Sequence, residues 1–262
     1  MAFKLYQVDA FSNEVFGGNP AAVVPLKKWL PDTVLQKIAL ENNLSETAFF
    51  IKLSDHEYDL RWFTPAYEVN LCGHATLASA HVLFKHLNYE HPSILFHTRS
   101  GVLTVEQVEG KYKMNFPSDE IRRLERFAPL NSALGATPLE VYRGKDDLLA
   151  ILENQSAVEA LRPNFSEIAR IPSIRGVIVS AQGDTVDFVS RCFYPGAGIN
   201  EDPVTGSAHT TLTPYWANKM NKRHLSAKQL SQRGGQMDCH YLGDRVELIG
   251  SAATYLFGVF TY

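Results

Sequence analysis

Four side chains in this sequence are of the types that move protons or hold acids: Glu46 in LSETAFF, His74 in CGHATLASA, and Asp202 and Ser207 in NEDPVTGSAH. Glu46 is followed directly by apolar, β-forming residues. Partial burial there is expected to raise its pKa toward the range in which a carboxyl both gives and takes a proton. His74 opens a stretch of small residues with helical spacing, where the positive end of the helix dipole favours a neutral ring. Asp202 has two readings, as a partner for His74 or a substrate amine and as a cap for the turn at Pro203. Ser207 likewise reads as a ligand hydroxyl or as a helix cap.

Each of the two helical stretches begins with a glycine, Gly73 and Gly206, followed by small residues such as Ala75 and Ala208. A helix start leaves backbone N–H groups unpaired and carries partial positive charge, so it suits a carboxylate or phosphate. One such end contributes only ~0.3–1 kcal/mol when exposed, so a pair makes the better anion site. Cys72 precedes the first glycine, whereas Thr205 precedes the second. A threonine hydroxyl is too weak an acid to act as a second thiol, which disfavours two-thiol racemisation. Cys72 then reads as a small buried hydrophobe or as a reactive thiol. His209 lies one turn into the second helix, behind the site.

These groups must be positioned by the elements around them. Leu5 to Phe11 reads as a first strand, and a Gly-Gly-Asn-Pro turn follows. Pro31-Asp32 starts a helix that Asn42-Asn43 can end, and Thr47 to Ile51 is again strand-like. Tyr58 to Phe63 and Ile94 to Phe116 continue the strand pattern, with a hairpin turn at Gly110-Lys111. GHATLASAHVLFKHL is apolar around so much of its circumference that it predicts a buried helix. The second half repeats this order: strands near Val141 and at Leu148–Leu152, a helical piece at Ala157–Leu161, strands at Ile174–Ser180 and Thr185–Phe193. GSAHTTLTPYWANKM then predicts a second helix, weakened by Pro214, and a strand-rich tail follows.

Arg61-Trp62-Phe63-Thr64-Pro65 and Arg191-Cys192-Phe193-Tyr194-Pro195 share the pattern R-x-F-x-P, 130 residues apart. With the same order of elements on both sides, this indicates internal duplication. The expected domains are residues 1–118, with a strand from 252–262 as a candidate to complete them, and residues 119–262. The boundary falls in PSDEIRRLERFAPLNSALG.

Composition narrows the function classes. The chain has 262 residues, 45% hydrophobic, and a formal net charge of −3, with no clustered basic surface of the kind that neutralises phosphates. No nucleic-acid partner is expected. No apolar run approaches the ~20 residues of a membrane span, and the N-terminus reads as a strand, so no membrane partner is expected either. Three cysteines, Cys72, Cys192 and Cys239, without C-x-x-C spacing suggest neither a disulfide framework nor a zinc site, and a reducing cytoplasm fits them.

FGGNPAAV at Phe16–Val23, NLSETAFF at Asn43–Phe50, RWFTPAYEVNLCGHATLASA at Arg61–Ala80 and RCFYPGAGINEDPVTGSAH at Arg191–His209 together resemble the phenazine biosynthesis PhzF-like isomerases of the diaminopimelate epimerase-like superfamily. The resemblance runs through both halves in the family's order. It implies an α+β fold of two similar halves, each a mostly antiparallel sheet wrapped around a central helix, with the active site in the cleft between them. It further implies cofactor-independent proton transfer without a metal, a small carboxylate substrate and frequent homodimerisation. Carried over by position, Glu46 is the general acid/base, and His74, Asp202 and Ser207 line the same site with Gly73, Gly206 and Ala208. Two alternatives stand beside this expectation. One is a racemase or epimerase using Cys72 with a non-thiol second base, and the other is a catalytically silent small-molecule-binding protein.

Overall fold

Tyr6 and Val8 are buried while Leu5 and Gln7 beside them are partly exposed, and this period of two marks Ala2–Ala10 as the first strand, β1, whose last residues Asp9 and Ala10 are both buried. A computed structural model describes residues 1–125 and 127–262 and divides them into two units, Met1–Asn115 with Ile249–Tyr262, and Phe116–Leu248.

In the first unit β1 pairs antiparallel with β2 (Asn19–Leu26) on one side and with the C-terminal strand Ala252–Thr261 on the other. β2 runs parallel to β3 (Glu46–Lys52), a geometry that requires a crossover, and helix α1 (Asp32–Asn42) provides it. Pro31 precedes α1, and Asn43 closes it in the left-handed conformation at φ 50°, its N–H donating to the Ala39 carbonyl. β3 pairs antiparallel with β4 (Glu57–Phe63), which takes β5 (Glu68–Val69) antiparallel. Helix α2 (Gly73–His86) then crosses over to β6 (Ser93–Thr98), parallel to β4, and β7 (Gly101–Val108) and β8 (Lys111–Pro117) follow as a hairpin. Its turn sits at Glu109-Gly110, both at positive φ, one residue before the position expected from sequence.

The second unit contains β9 (Arg122–Leu124), α3 (Ala128–Leu134), β10 (Glu140–Arg143), β11 (Asp147–Ile151), α4 (Gln155–Ala160), α5 (Phe165–Ala169), β12 (Gly176–Gln182), β13 (Phe188–Tyr194), β14 (Ile199–Asp202), α6 (Gly206–Met220), β15 (His224–Gln229), β16 (Gly235–Tyr241) and β17 (Arg245–Gly250). The C-terminal strand of the first unit is therefore β18. From β9 to β16 the pairings are antiparallel, antiparallel, parallel, antiparallel, antiparallel, parallel and antiparallel. The first unit gives the same series from β18 and β1 to β7. Register agrees as well: Thr47 faces Phe63 and Val177 faces Phe193, each pair 130 residues from its counterpart.

The repeated R-x-F-x-P motif has a local cause. Arg and Phe two residues apart share a strand face, and each guanidinium lies 5.1 Å from its Phe ring centroid. Arg61 donates Nε and Nη2 to Glu68 on β5, and Arg191 donates the same two groups to Glu201 on β14. Each motif thus clamps the short strand that leads into the central helix of its unit.

Those two helices are buried almost throughout their first ten residues. Polar residues are tolerated there because they are satisfied internally: in α2, Thr76 Oγ1 donates to the Cys72 carbonyl and Ser79 Oγ to the Ala75 carbonyl. Pro214 does not interrupt α6. It cannot donate to the Thr210 carbonyl, and that oxygen accepts instead from the Asp119 backbone N–H at 3.1 Å. The Asp119 carboxylate also accepts from Thr211 Oγ1 at 2.8 Å, so a neighbouring loop splices the helix at its weak point.

Candidate functional site

Glu46 is the first residue of β3, where the chain emerges from α1 and turns into the sheet opposite Ala21. Cys72 is extended, at φ −145°, and Gly73 then begins α2, so Cys72 and His74 project from the bend on either side of a residue without a side chain. Folding brings these three together. Glu46 Oε2 lies 3.2 Å from His74 Nε2, and Cys72 Sγ lies 3.5 Å from Nδ1 and 4.0 Å from Nε2 of the same ring. The Glu46 side chain is 13% exposed and that of His74 6%. Oε2 is sealed from solvent, and His74 lies close enough for electrostatic pairing yet off the line of a hydrogen bond.

The electrostatics correct one expectation. A ring at a helix start should be neutral, and burial, the largest single influence on His74, pushes in that direction. Opposing it are the facing Cys72 sulfur, which acts in this sense only as a thiolate, and the Glu46 carboxylate, and the His74 pKa stands well above the usual imidazole value. Because burial, reinforced by the negative charge of Glu46, pushes the Cys72 thiol up to about 11, that thiol is protonated near neutrality. The charge that sustains an imidazolium there is therefore that of Glu46.

In the second unit Asp202 ends β14 and is buried, its carboxylate accepting from Thr205 Oγ1. Gln229 braces the same loop, donating to the Asp202 carbonyl at 2.8 Å and accepting from the Thr205 N–H at 2.9 Å. Gly206, Ser207 and Ala208 form the first turn of α6, with Gly206 and Ala208 buried. Ser207 Oγ accepts from Arg175 Nη2 at 3.1 Å, and Arg175 in turn grips the buried Asp147 through Nε and Nη2. Burial pushes the Asp147 carboxyl up, and the guanidinium opposes this. His209 Nδ1 donates to the Thr205 carbonyl at 2.8 Å, and burial pushes its pKa down to about 4, so the ring is neutral. Cys192 and Cys239 are fully buried strand residues. Burial drives both thiols upward, that of Cys239 to about 12.

Sequence reasoning singled out Glu46, His74 and Cys72 separately, without their contact. Arg175 and Asp147 escaped it: they stand 28 residues apart, and neither belongs to a recognisable motif.

Each unit combines a mixed, mainly antiparallel sheet with one long, largely buried helix of small residues, an α+β architecture that occurs twice in the chain. A hydroxyproline epimerase of Agrobacterium vitis, solved with bound trans-4-hydroxy-L-proline, shares this fold at 11% identity and a TM-score of 0.63, covering 98% of this chain and 92% of that one. The family model for phenazine biosynthesis-like proteins matches residues 8–258. An uncharacterised isomerase of Pseudomonas aeruginosa is 48% identical over 96% of both chains. A crystal structure of a PhzF-family protein from Enterococcus faecalis superimposes with a TM-score of 0.97 at 46% identity, covering all of both chains. The chain belongs to the phenazine biosynthesis-like, PhzF-type family, and it is an isomerase.

Proposed function

We propose that the chain moves a proton, and with it a double bond, on a small amino-carboxylate, with Glu46 as general acid/base. The observation that carries this reading is the contact of the Glu46 carboxylate with a titratable imidazole at 3.2 Å, at the start of a helix. A shuttling acid must be stable both with and without its proton. His74 offers a compensating charge when Glu46 is ionised and can give that charge up when it is not. Glu46 takes the proton from one carbon of the substrate and returns it to another, while the electron pair spreads into the substrate's conjugated system. A positioned carboxyl of this kind contributes ~10²–10⁴-fold in rate. A helix start supplies the backbone N–H groups that bind the substrate's acid group, and the candidates are Gly73 at the start of α2 and, in the second unit, Gly206, Ala208 and the Ser207 hydroxyl at the start of α6. Asp202 belongs to the catalytic set as the partner of the substrate amine. The chemistry needs no organic cofactor, and the enzyme works in the cytoplasm.

Self-association is part of the same reading. Phe257 and Val259 share one face of β18 and are 70% and 66% exposed, and Tyr255, at the β-bulge beside them, is 48% exposed, an apolar strip that a second copy of the chain would cover. Sedimentation velocity should give twice the chain mass.

The test of the chemistry is incubation in D₂O with a panel of small amino acids and dihydroaromatic carboxylates, following deuterium uptake by NMR. Exchange in the wild type that Glu46→Gln abolishes is the expected result. A second reading, epimerisation through Cys72, draws on the 3.5 Å approach of its sulfur to His74. Its signature would be exchange at a stereocentre that survives Glu46→Gln and disappears in Cys72→Ala.

A further inference from the structure

A hydroxyl has one hydrogen to give, and along α6 the neighbours of Ser207 spend theirs on the protein: Thr210 Oγ1 donates to the Ser207 carbonyl at 2.7 Å and Thr211 Oγ1 to the Asp119 carboxylate at 2.8 Å. Ser207 does the reverse. Its Oγ accepts from Arg175 Nη2 at 3.1 Å, and among the described residues it donates to none. The direction of that bond is fixed, because a guanidinium has only N–H donors and no acceptor. We infer that Arg175, braced by Asp147, is a positioning residue for substrate binding: it occupies a lone pair of Ser207 Oγ and so commits the Ser207 hydrogen to an acid oxygen of the substrate. This rests on the reading of Ser207 as a contact for that acid group.

The bracing comes from the sheet. Arg175 immediately precedes β12, and Asp147 opens the parallel strand β11 in register with Gly176, so the pairing of the two strands sets the carboxylate beside the guanidinium. Nε donates to Asp147 at 3.0 Å and Nη2 donates to its other oxygen. The Arg175 backbone N–H donates to the Asp146 carbonyl at 2.7 Å, and the guanidinium carbon lies 5.0 Å from the centroid of the Tyr194 ring. A planar cation forked onto a carboxylate and backed by a ring keeps one orientation, and Nη2 stays aimed at Oγ. The side chain of Asp147 is 4% exposed and that of Arg175 42%, so the chain of bonds runs outward from the interior to the first turn of α6, where Ser207 is itself partly exposed.

Arg175 changes both the direction and the strength of what Ser207 offers. A helical serine commonly turns its hydrogen back onto a carbonyl one turn earlier, as Ser79 does onto Ala75 in α2. With the guanidinium on its lone pair, the Ser207 hydroxyl is held away from that use. A hydrogen bond accepted from a cation also draws electron density from Oγ, which makes its O–H a stronger donor to an acid oxygen.

The test is a double-mutant cycle on binding by the full-length protein, with 4-fluorobenzoate as the probe acid and its ¹⁹F NMR signal as the readout. Ser207→Ala should weaken affinity about tenfold, the value of roughly one hydrogen bond. Arg175→Lys keeps a charge for Asp147 but loses the fork that also reaches Oγ, and should weaken affinity by a similar factor. In the Ser207→Ala background the same Arg175→Lys change should add less than about twofold, because the hydroxyl it positions is gone. A merely structural role for Arg175 would cost as much in either background. Asp147→Asn combined with Arg175→Gln removes both charges together, leaves neither unpaired, and should give the same pattern if the lysine variant does not fold. Costs that multiply, an Arg175→Lys affinity equal to that of the wild type, or no binding of the probe by the wild type overturns the role of Arg175. The cycle reads binding and not turnover, so the two readings fail separately. Absent deuterium exchange beside an intact cycle overturns the proton-transfer reading alone, and a multiplicative cycle beside intact exchange overturns Arg175 alone.

Discussion

The two units share a strand order and a register, yet they spend their acids differently. Where β2 and β3 run side by side, Ala21 faces Glu46, and where β11 and β12 do so, Asp147 faces Gly176. Each pair carries one carboxylate, on opposite members. Glu46 is matched with an imidazole, a cation that can lose its proton, whereas Asp147 is matched with the guanidinium of Arg175, which cannot. The helix starts differ in the same sense: Cys72 and His74 head α2, while Thr205 and Ser207 head α6, with Ser207 held by Arg175. The repeated units therefore differ at their helix starts, one pairing a carboxylate with a titratable imidazole and the other with a permanently charged guanidinium.

The largest effect that could break this comparison is on catalysis. Glu46→Gln should lower deuterium exchange by ~10²–10⁴-fold, and Ser207→Ala by only about tenfold, the value of roughly one hydrogen bond. Equal losses would mean that the two ends share the chemistry. Next in size is the fixed charge. Asp147→Ala leaves the Arg175 guanidinium without its partner, and urea denaturation should show a loss of about 3 kcal/mol, the low end for a broken buried pair because Arg175 itself is partly exposed. A loss below ~1 kcal/mol would place the pair among dispensable surface bridges.

A smaller effect sharpens the contrast at Gly176. A Cβ there would stand 2.2 Å from the Tyr194 ring and 2.4 Å from the Phe193 carbonyl oxygen. Tyr194 thus occupies the space that would be needed for a second Glu46. Gly176→Ala should cost ~1–3 kcal/mol in urea denaturation through overpacking. A neutral result would show that both the Tyr194 ring and the Phe193 backbone give way readily.

Much of this was legible in the amino-acid string where local chemistry dominates. The two buried helices announced themselves by small and apolar residues around their whole circumference, and Asn43 marked the end of α1. The R-x-F-x-P repeat was visible because a cation packed on a ring two residues away needs a fixed spacing. The short elements β9, α3 and α5 were not legible, since three to seven residues carry too little periodicity to declare themselves. Pro214 argued against a helix that persists because Asp119, 95 residues earlier, takes the freed carbonyl. The ionisation of His74 was misjudged for a similar reason: the helix start is local, but the charge that overrides it arrives from β3.

That override gives the last test, which leaves neutral-pH activity untouched and compares the histidines of the two helix starts. The folded pKa of His74 is raised above its unfolded value of ~6.5, so its contribution to stability is fully present below that pH and is lost as pH rises through the folded value. His209 has the opposite sign. Its folded pKa is lowered to about 4, so the unfolded chain takes up a proton that the native ring refuses, and stability falls as pH drops from ~6.5 toward 4. His81, also pushed down to about 4 by burial, adds to this acid loss. In an NMR titration of the ring Cε1 protons, His74 should pass its midpoint above the usual imidazole range, and His209 should remain neutral until the protein begins to unfold in acid. Parallel titration of His74 and His209 would mean that Glu46 does not set the charge on the α2 ring. The distinction between a proton-exchanging end and a fixed end would then have lost its electrostatic basis.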